Sequence, residues 1–154
     1  MDLLSPALPF IENLQKIREL LPLMKFLSAL GSEQFYLLLL PLIYWGVSRP
    51  LGVRLGALLL FSVVVNEIFK VAFAQPRPYW IDANLLISKG SAEASFGFPS
   101  GHAQNAILIW PFLALQTKRK GLWMSLAILL AAGISFSRIY LGVHYPTDIL
   151  GGFL

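Results

Sequence analysis

Four apolar stretches, 34–47, 51–69, 103–115 and 122–141, alternate with short charged or proline-bearing breaks, and this alternation limits the chain more than any other feature. The second and fourth are about the length that crosses a bilayer as a helix and the first and third are shorter; Tyr44 and Trp45 close the first, Lys70 follows the second, and Lys118, Arg119 and Lys120 follow the third, residues that anchor helix ends at an interface. The 154 residues are 56% hydrophobic and 13% charged, about half the charged share of a soluble domain. The expected fold is therefore all-α, an integral-membrane helical bundle of four full or near-full spans.

Two further segments flank those spans. Residues 9–30 carry Glu12, Lys16, Arg18, Glu19 and Lys25 among Phe10, Ile11, Leu14, Ile17, Leu20, Leu21 and Leu23, a pattern closer to an amphipathic helix than to a span. We divide the chain into an N-terminal interfacial segment, 1–32, and a membrane domain, 33–154. Residues 149–154 open a further helix that is too short to cross about 30 Å of hydrocarbon, so the domain is expected to be incomplete at its C-terminal end.

The basic residues orient the bundle. Arg49 and Arg54 flank one hairpin and Lys118, Arg119 and Lys120 form another, and both fall on the same side if each apolar stretch crosses once. That side is assigned to the cytoplasm. The loop between Lys70 and His102 and the segment around His144 then face outward, towards the periplasm or exterior of a bacterial plasma membrane. There is no cysteine, so neither a disulfide framework nor a thiolate metal site is available. The net charge of +4 is not gathered into a basic arm, so nucleic acid is not an expected partner.

Three short motifs fall on the outward side. The first is Lys70, six intervening residues, then Arg77 and Pro78; the second is Pro99, Ser100, Gly101 and His102. The third is Ser137 and Arg138, five residues, His144, three residues, and Asp148. Together, at full spacing and in this order, they resemble the signature of the type 2 phosphatidic acid phosphatase superfamily, the lipid phosphate phosphatases, whose site is shared with acid phosphatases and vanadium haloperoxidases. The resemblance covers about half the chain. It implies a metal-independent phosphatase acting on a lipid phosphate or diphosphate through a phospho-histidine.

Physical chemistry leads the same residues to the same chemistry. A phosphoryl group in transit spreads charge over its oxygens, so preorganised positive charge does most of the work. Lys70, Arg77 and Arg138 supply it. Ser100 and Gly101 stand where a loop turns into a helix, whose free N–H groups can cradle phosphate. His144 has Asp148 at i+4, so the carboxylate can fix its tautomer and leave the other ring nitrogen nucleophilic. His102, beside the cradle, is left as general acid for the leaving oxygen. The three cations would repel a divalent ion and already supply its electrostatics, so no metal and no cofactor are expected.

Blander readings stand beside these. A single Lys or Arg at the end of an apolar stretch can be a snorkelling anchor, Glu67 can be a helix-face partner for Lys70, and Tyr79 and Trp80 can be interfacial aromatics or flank a lipid entrance. The residues serve equally a phosphotransferase with a lipid or sugar acceptor, or a non-catalytic lipid-binding protein of the same fold. The expected partners are a lipid phosphate such as a polyprenyl diphosphate or phosphatidate, and the membrane lipids themselves.

Overall fold

The computed structural model describes residues 7–154; residues 1–6 of the expected N-terminal segment lie outside the described residues. The described chain is all-helical: α1 (Ala7–Gln15), α2 (Leu21–Ala29), α3 (Glu33–Gly46), α4 (Arg49–Phe73), α5 (Pro78–Ile81), α6 (Gly101–Ala114), α7 (Lys120–Tyr140) and α8 (Pro146–Gly152), with 3-10 turns between some of them. α6 packs between α4 and α7, α3 lies on α4, and α1 and α2 pack on α7.

Local chemistry explains the boundaries. Ser32 caps α3, its Oγ accepting from the Phe35 N–H at 3.2 Å, and Ser100 caps α6 through the Ala103 N–H at 3.4 Å. Prolines 50 and 146 open α4 and α8, where a missing N–H costs nothing. α4 ends on Ala74 in the left-handed conformation, φ 46°. A non-glycine residue there costs about 1–2 kcal/mol, and it turns the chain back over the bundle end, towards Arg77.

The seam between α6 and α7 is built from small residues, Ala103, Ala106, Ala127 and Ala131, which let the two helices approach closely. Between α3, α4 and α6, Tyr36, Ile43, Leu55 and Ile109 form a core cluster. The outer faces are apolar instead of polar: Leu37, Leu38, Leu42, Leu60, Phe61, Ile68, Val71 and Leu129 are all exposed. That inversion is the arrangement of a bundle solvated by lipid.

Two described stretches, Arg49–Ile81 and Lys120–Tyr140, are long and apolar enough to cross a membrane, and the pair Arg18–Ala29 and Glu33–Gly46, bent by 49°, makes a third if it is one span. The expected number was four. The difference lies in α3 and α6, of 14 residues each, about 21 Å long at 1.5 Å per residue. The N-terminal segment is tied into the bundle. Gln15 Nε2 donates to the Leu85 and Tyr140 carbonyls at 2.8 and 2.9 Å, Tyr140 Oη donates to the Ile17 carbonyl at 2.8 Å, and Ile11 and Met24 are buried.

A polar seam joins α4 to α6. Asn66 Nδ2 donates to Gln104 Oε1 at 2.8 Å, Gln104 Nε2 donates to the Ser62 carbonyl at 2.9 Å, and Ser62 Oγ donates to Asn105 Oδ1 at 2.6 Å. These bonds tie the two helices together in one register. The sequence offered no role for Gln104 and Asn105.

Candidate active site

The chain passes one end of the bundle three times: where α4 ends, where α6 begins, and where α7 turns into α8. Lys70, the loop 74–99, Ser100 to His102, Arg138, His144 and Asp148 all come from those places. The basic hairpins at Arg49 and Lys118 to Lys120 fall at the opposite end, since α4, α6 and α7 alternate in direction.

His144 stands in the turn after α7. Gly142, at φ 73°, makes that turn, and its α-carbon faces the Leu85 carbonyl so closely that an added Cβ would lie 2.0 Å from the oxygen. The turn is held from behind, because the Val143 and His144 N–H groups both donate to the Arg138 carbonyl, at 3.2 and 3.3 Å.

Both ring nitrogens of His144 are engaged. Nδ1 is 3.1 Å from Asp148 Oδ2, and Nε2 is 3.1 Å from Arg77 Nη1. A guanidinium only donates, so Nε2 must be the acceptor and the proton sits on Nδ1, donated to Asp148. Asp148 is held in turn: Oδ2 also accepts from the Tyr145 N–H at 2.9 Å and Oδ1 from Gln75 Nε2 at 3.1 Å. All of His144 and Asp148 is buried. Burial first, then the charges of Arg77 and Arg138, hold the His144 imidazole well below its ordinary pKa and so keep it neutral. Burial pushes the Asp148 carboxyl up to about 7, against the opposing pull of the Tyr145 N–H and Arg77.

Arg77 is fully buried and spends its donors on protein: Nε on the Ser95 carbonyl at 2.7 Å, Nη1 on the Val143 carbonyl at 3.0 Å, and Nη2 on Glu93 Oε2 at 2.6 Å and the Phe96 carbonyl at 3.1 Å. Arg138 reaches Ser28 Oγ with Nη1 at 2.5 Å and Glu93 Oε1 with Nη2, and its Nε has no hydrogen-bond partner among the described residues. Lys70 Nζ donates to Glu67 Oε1 and Ser95 Oγ, both at 3.0 Å. His102 lines two cavities and has Nδ1 3.7 Å from Glu93 Oε1, outside hydrogen-bond range.

The structure thus brings together Lys70, Arg77, His102, Arg138, His144 and Asp148. Ser100 and Gly101 stand beside them in a more structural position. The Ser100 hydroxyl caps α6 and its N–H donates to the Asp148 carbonyl at 3.0 Å, while a Cβ on Gly101 would meet Asn66 Oδ1 at 3.2 Å. The phosphate-cradle role given to these two from sequence stays a proposal. Sequence reasoning missed Glu93, Ser95 and Gln75. For Tyr79, read as an interfacial aromatic or the flank of a lipid entrance, the structure adds a further contact: its Oη donates to the Glu93 carbonyl at 2.5 Å and accepts from the Glu93 N–H at 3.1 Å. The available signal was an acidic residue near serines in the loop between the Arg77 motif and the Pro99 to His102 motif.

The chain resembles known proteins over nearly all of its length. It is 31% identical over 144 residues to an undecaprenyl-diphosphatase of Sulfolobus acidocaldarius, covering 92% of this chain and 68% of that one. It is 34% identical over 139 residues to phosphatidylglycerophosphatase B of Bacillus subtilis, covering 82% and 65%. The crystal structure of the first transmembrane PAP2 type phosphatidylglycerolphosphate phosphatase from Bacillus subtilis superposes with a TM-score of 0.79 at 28% identity, over 97% of this chain and 78% of that one. Residues 51–154, which hold all three motifs, match the PAP2 superfamily, and the chain belongs to it.

Proposed function

We propose that the chain is a metal-independent lipid phosphatase that hydrolyses a lipid phosphate or diphosphate through a phospho-histidine on His144. The single observation behind this reading is the tautomer: Arg77 at 3.1 Å leaves Nε2 unprotonated, and Asp148 holds the proton on Nδ1. A neutral, oriented imidazole beside buried arginines is a nucleophile next to an anion site.

In the first step Arg77 Nη1 turns from Nε2 to a phosphoryl oxygen, and the freed Nε2 lone pair forms a bond to phosphorus as the bond from phosphorus to the leaving oxygen breaks. His102 gives that oxygen its proton: burial and the charges of Arg138, Arg77 and Lys70 hold its imidazole neutral before substrate binds, and the bound phosphate anion offsets those charges so that it is protonated. In the second, His102 takes a proton from water, the hydroxide oxygen attacks the phospho-histidine, and inorganic phosphate leaves with the electron pair of the P–N bond returned to His144. Asp148 stabilises the positive charge that the ring carries between the steps. Arg77, Arg138 and Lys70 bind the phosphoryl oxygens and supply the charge that a metal ion would otherwise provide.

The relatives named above act, by name, on undecaprenyl diphosphate and phosphatidylglycerol phosphate, and the apolar exterior supports a substrate that arrives through the bilayer. With the basic hairpins at the far end of the bundle, the site faces the outside of the cell by the positive-inside rule. Purified protein in detergent is expected to release phosphate, in the presence of chelator, from a panel holding a polyprenyl diphosphate, phosphatidate and phosphatidylglycerol phosphate. His144→Ala is expected to abolish release. Full activity of that variant would overturn the mechanism, and no release from any substrate by the unaltered protein would overturn the function.

A further inference from the structure

Glu93 lies in the loop between α5 and α6, and neither step above uses it. Its carboxylate spans two guanidiniums: Oε2 accepts from Arg77 Nη2 at 2.6 Å and Oε1 accepts from Arg138 Nη2. His102 Nδ1 is 3.7 Å from that same Oε1. A two-oxygen anion held by a pair of arginines beside the general acid has the partners a phosphoryl group needs. We propose that Glu93 is the resident anion of the phosphate site: it holds Arg77 and Arg138 in place when no substrate is bound, and the incoming phosphoryl group displaces it. The proposal rests on the reading of the two arginines as phosphate ligands.

A resident anion is required because both cations are buried, Arg77 with 0% and Arg138 with 3% of the side chain exposed. Two guanidiniums left side by side without a counter-charge would repel each other and drift from the geometry the phosphate needs. Displacement is feasible because the Glu93 side chain is 26% exposed and cavities open on both sides of it. One, of about 420 Å³, is lined by Lys25, Ser28, Ser88, Ser91, His102 and Arg138. The other, of about 390 Å³, carries Glu33, Glu67 and Lys70 on its walls, and Lys70 is already paired with Glu67 at 3.0 Å, which leaves Glu33 as the uncompensated charge there among the described residues. A displaced carboxylate leaves towards Lys25, a cation unpaired among the described residues, and away from Glu33. Tyr79 grips the Glu93 backbone from both the N–H and the carbonyl, so the movement is a rotation of the side chain with the loop in place.

A ligand that must first expel Glu93 binds more weakly by the fraction of molecules in which the site is free. Neutralising residue 93 therefore has two effects of opposite sign. Affinity for phosphate rises, and stability without phosphate falls, because the buried cations lose their partner. A plain structural ion pair predicts that both fall.

Binding of inorganic vanadate and phosphate to the full chain in detergent, followed by calorimetric titration, separates these cases without any need for turnover. Glu93→Gln is expected to bind either anion at least about ten-fold tighter than the unaltered protein, to melt at a lower temperature in phosphate-free buffer, and to gain more in melting temperature on phosphate addition. Glu93→Asp keeps the charge on a side chain one methylene shorter, which cannot span both arginines, and is expected to fall between the two. It carries the test if the glutamine variant does not fold. Equal or weaker anion binding by the variants, with phosphate release by the unaltered protein intact, would sink the resident-anion proposal and leave the phosphatase reading standing. Failure of the unaltered protein and both variants to bind either anion would sink both.

Discussion

The Nδ1–H of His144 donates to Oδ2 of Asp148 at 3.1 Å, and the two residues are four apart across the start of α8. That spacing turns a local helix geometry into a chemical device, since the same carboxylate oxygen also accepts the Tyr145 N–H and is thereby prevented from rotating away. Asp148→Asn keeps the shape and removes the charge. It is expected to lower kcat by about 10³ to 10⁴-fold, as loss of the orienting carboxylate does in a catalytic triad, with KM changed by less than about three-fold. Steady-state phosphate release on one lipid substrate measures both constants, and a drop in kcat of under ten-fold would remove Asp148 from the mechanism.

The proposed division of labour between the histidines predicts a dependence on the leaving group. His102→Ala is expected to lose about 10² to 10⁴-fold with alkyl phosphates, whose departing oxygen needs a proton, and far less with p-nitrophenyl phosphate, whose departing oxygen does not. His144→Ala is expected to lose both. Equal losses on the two substrates in His102→Ala would place that residue in binding and not in proton transfer.

Acidic pH is expected to switch the site off near pH 7. In the proposed mechanism the His144 and Asp148 pair holds one proton between them, and burial raises the Asp148 carboxyl to about 7. As pH falls through that value the pair takes up a second proton, the carboxylate charge is lost, and with it the stabilisation of the charged ring. The profile of kcat/KM should therefore bend downward on the acid side near 7, about one unit above the bend that ionisation of a phosphate monoester itself produces. A profile that is level from pH 8 down to 6 contradicts this.

Much of the site was legible because its residues are rare in this chain and regularly spaced. Only two histidines exist, and both fall in motifs. His144 and Asp148 sit one helical turn apart, so a local rule brings them together. Lys70, Arg77 and Arg138 could be chosen because cations at the ends of apolar stretches need a reason to be there. Glu93 was hidden by a different physics. It meets Arg77 and Arg138 from positions 16 and 45 residues distant, across a loop without periodicity, so no pattern in the chain points from one to the others. The helix order was readable from hydropathy, whereas the number of crossings was not. α3 and α6 are apolar enough but short, and α2 joins α3 through a bend that hydropathy does not register. The small-residue seam of α6 and α7 and the Asn66, Gln104, Ser62 and Asn105 seam of α4 and α6 depend on which faces meet, which only packing decides.

The two ends of the bundle carry different chemistry, and the proposed topology rests on that difference. Reporter fusions after Thr117 and within the loop 82–95 are expected on opposite sides of the membrane, with the Thr117 fusion in the cytoplasm, because α6 separates them and Lys118, Arg119 and Lys120 adjoin the first. Both reporters on one side would mean that α6 dips into the bilayer and returns, and would move the site to the cytoplasmic face.

The turn that presents His144 has little tolerance. At Gly142 the backbone is left-handed, φ 73°, and a Cβ would lie 2.0 Å from the Leu85 carbonyl oxygen, an atom of the main chain that cannot rotate aside. Left-handed strain of about 1–2 kcal/mol and overpacking of about 1–3 kcal/mol then act together. Gly142→Ala is expected to destabilise the protein by at least about 2 kcal/mol and to abolish turnover at temperatures where the unaltered protein is active, since the shift falls on the segment between Arg138 and His144. Gly121 is the contrasting case: it lies in the first turn of α7, and a Cβ there meets nothing within 4 Å. Gly121→Ala should leave activity intact and raise stability by about 0.5–1 kcal/mol through the lower entropy of the unfolded chain. Thermal melts of the two variants in the same detergent, read beside phosphate release, test the pair. A Gly142→Ala protein that melts and turns over like the unaltered one would show that the turn is not what holds His144 in place.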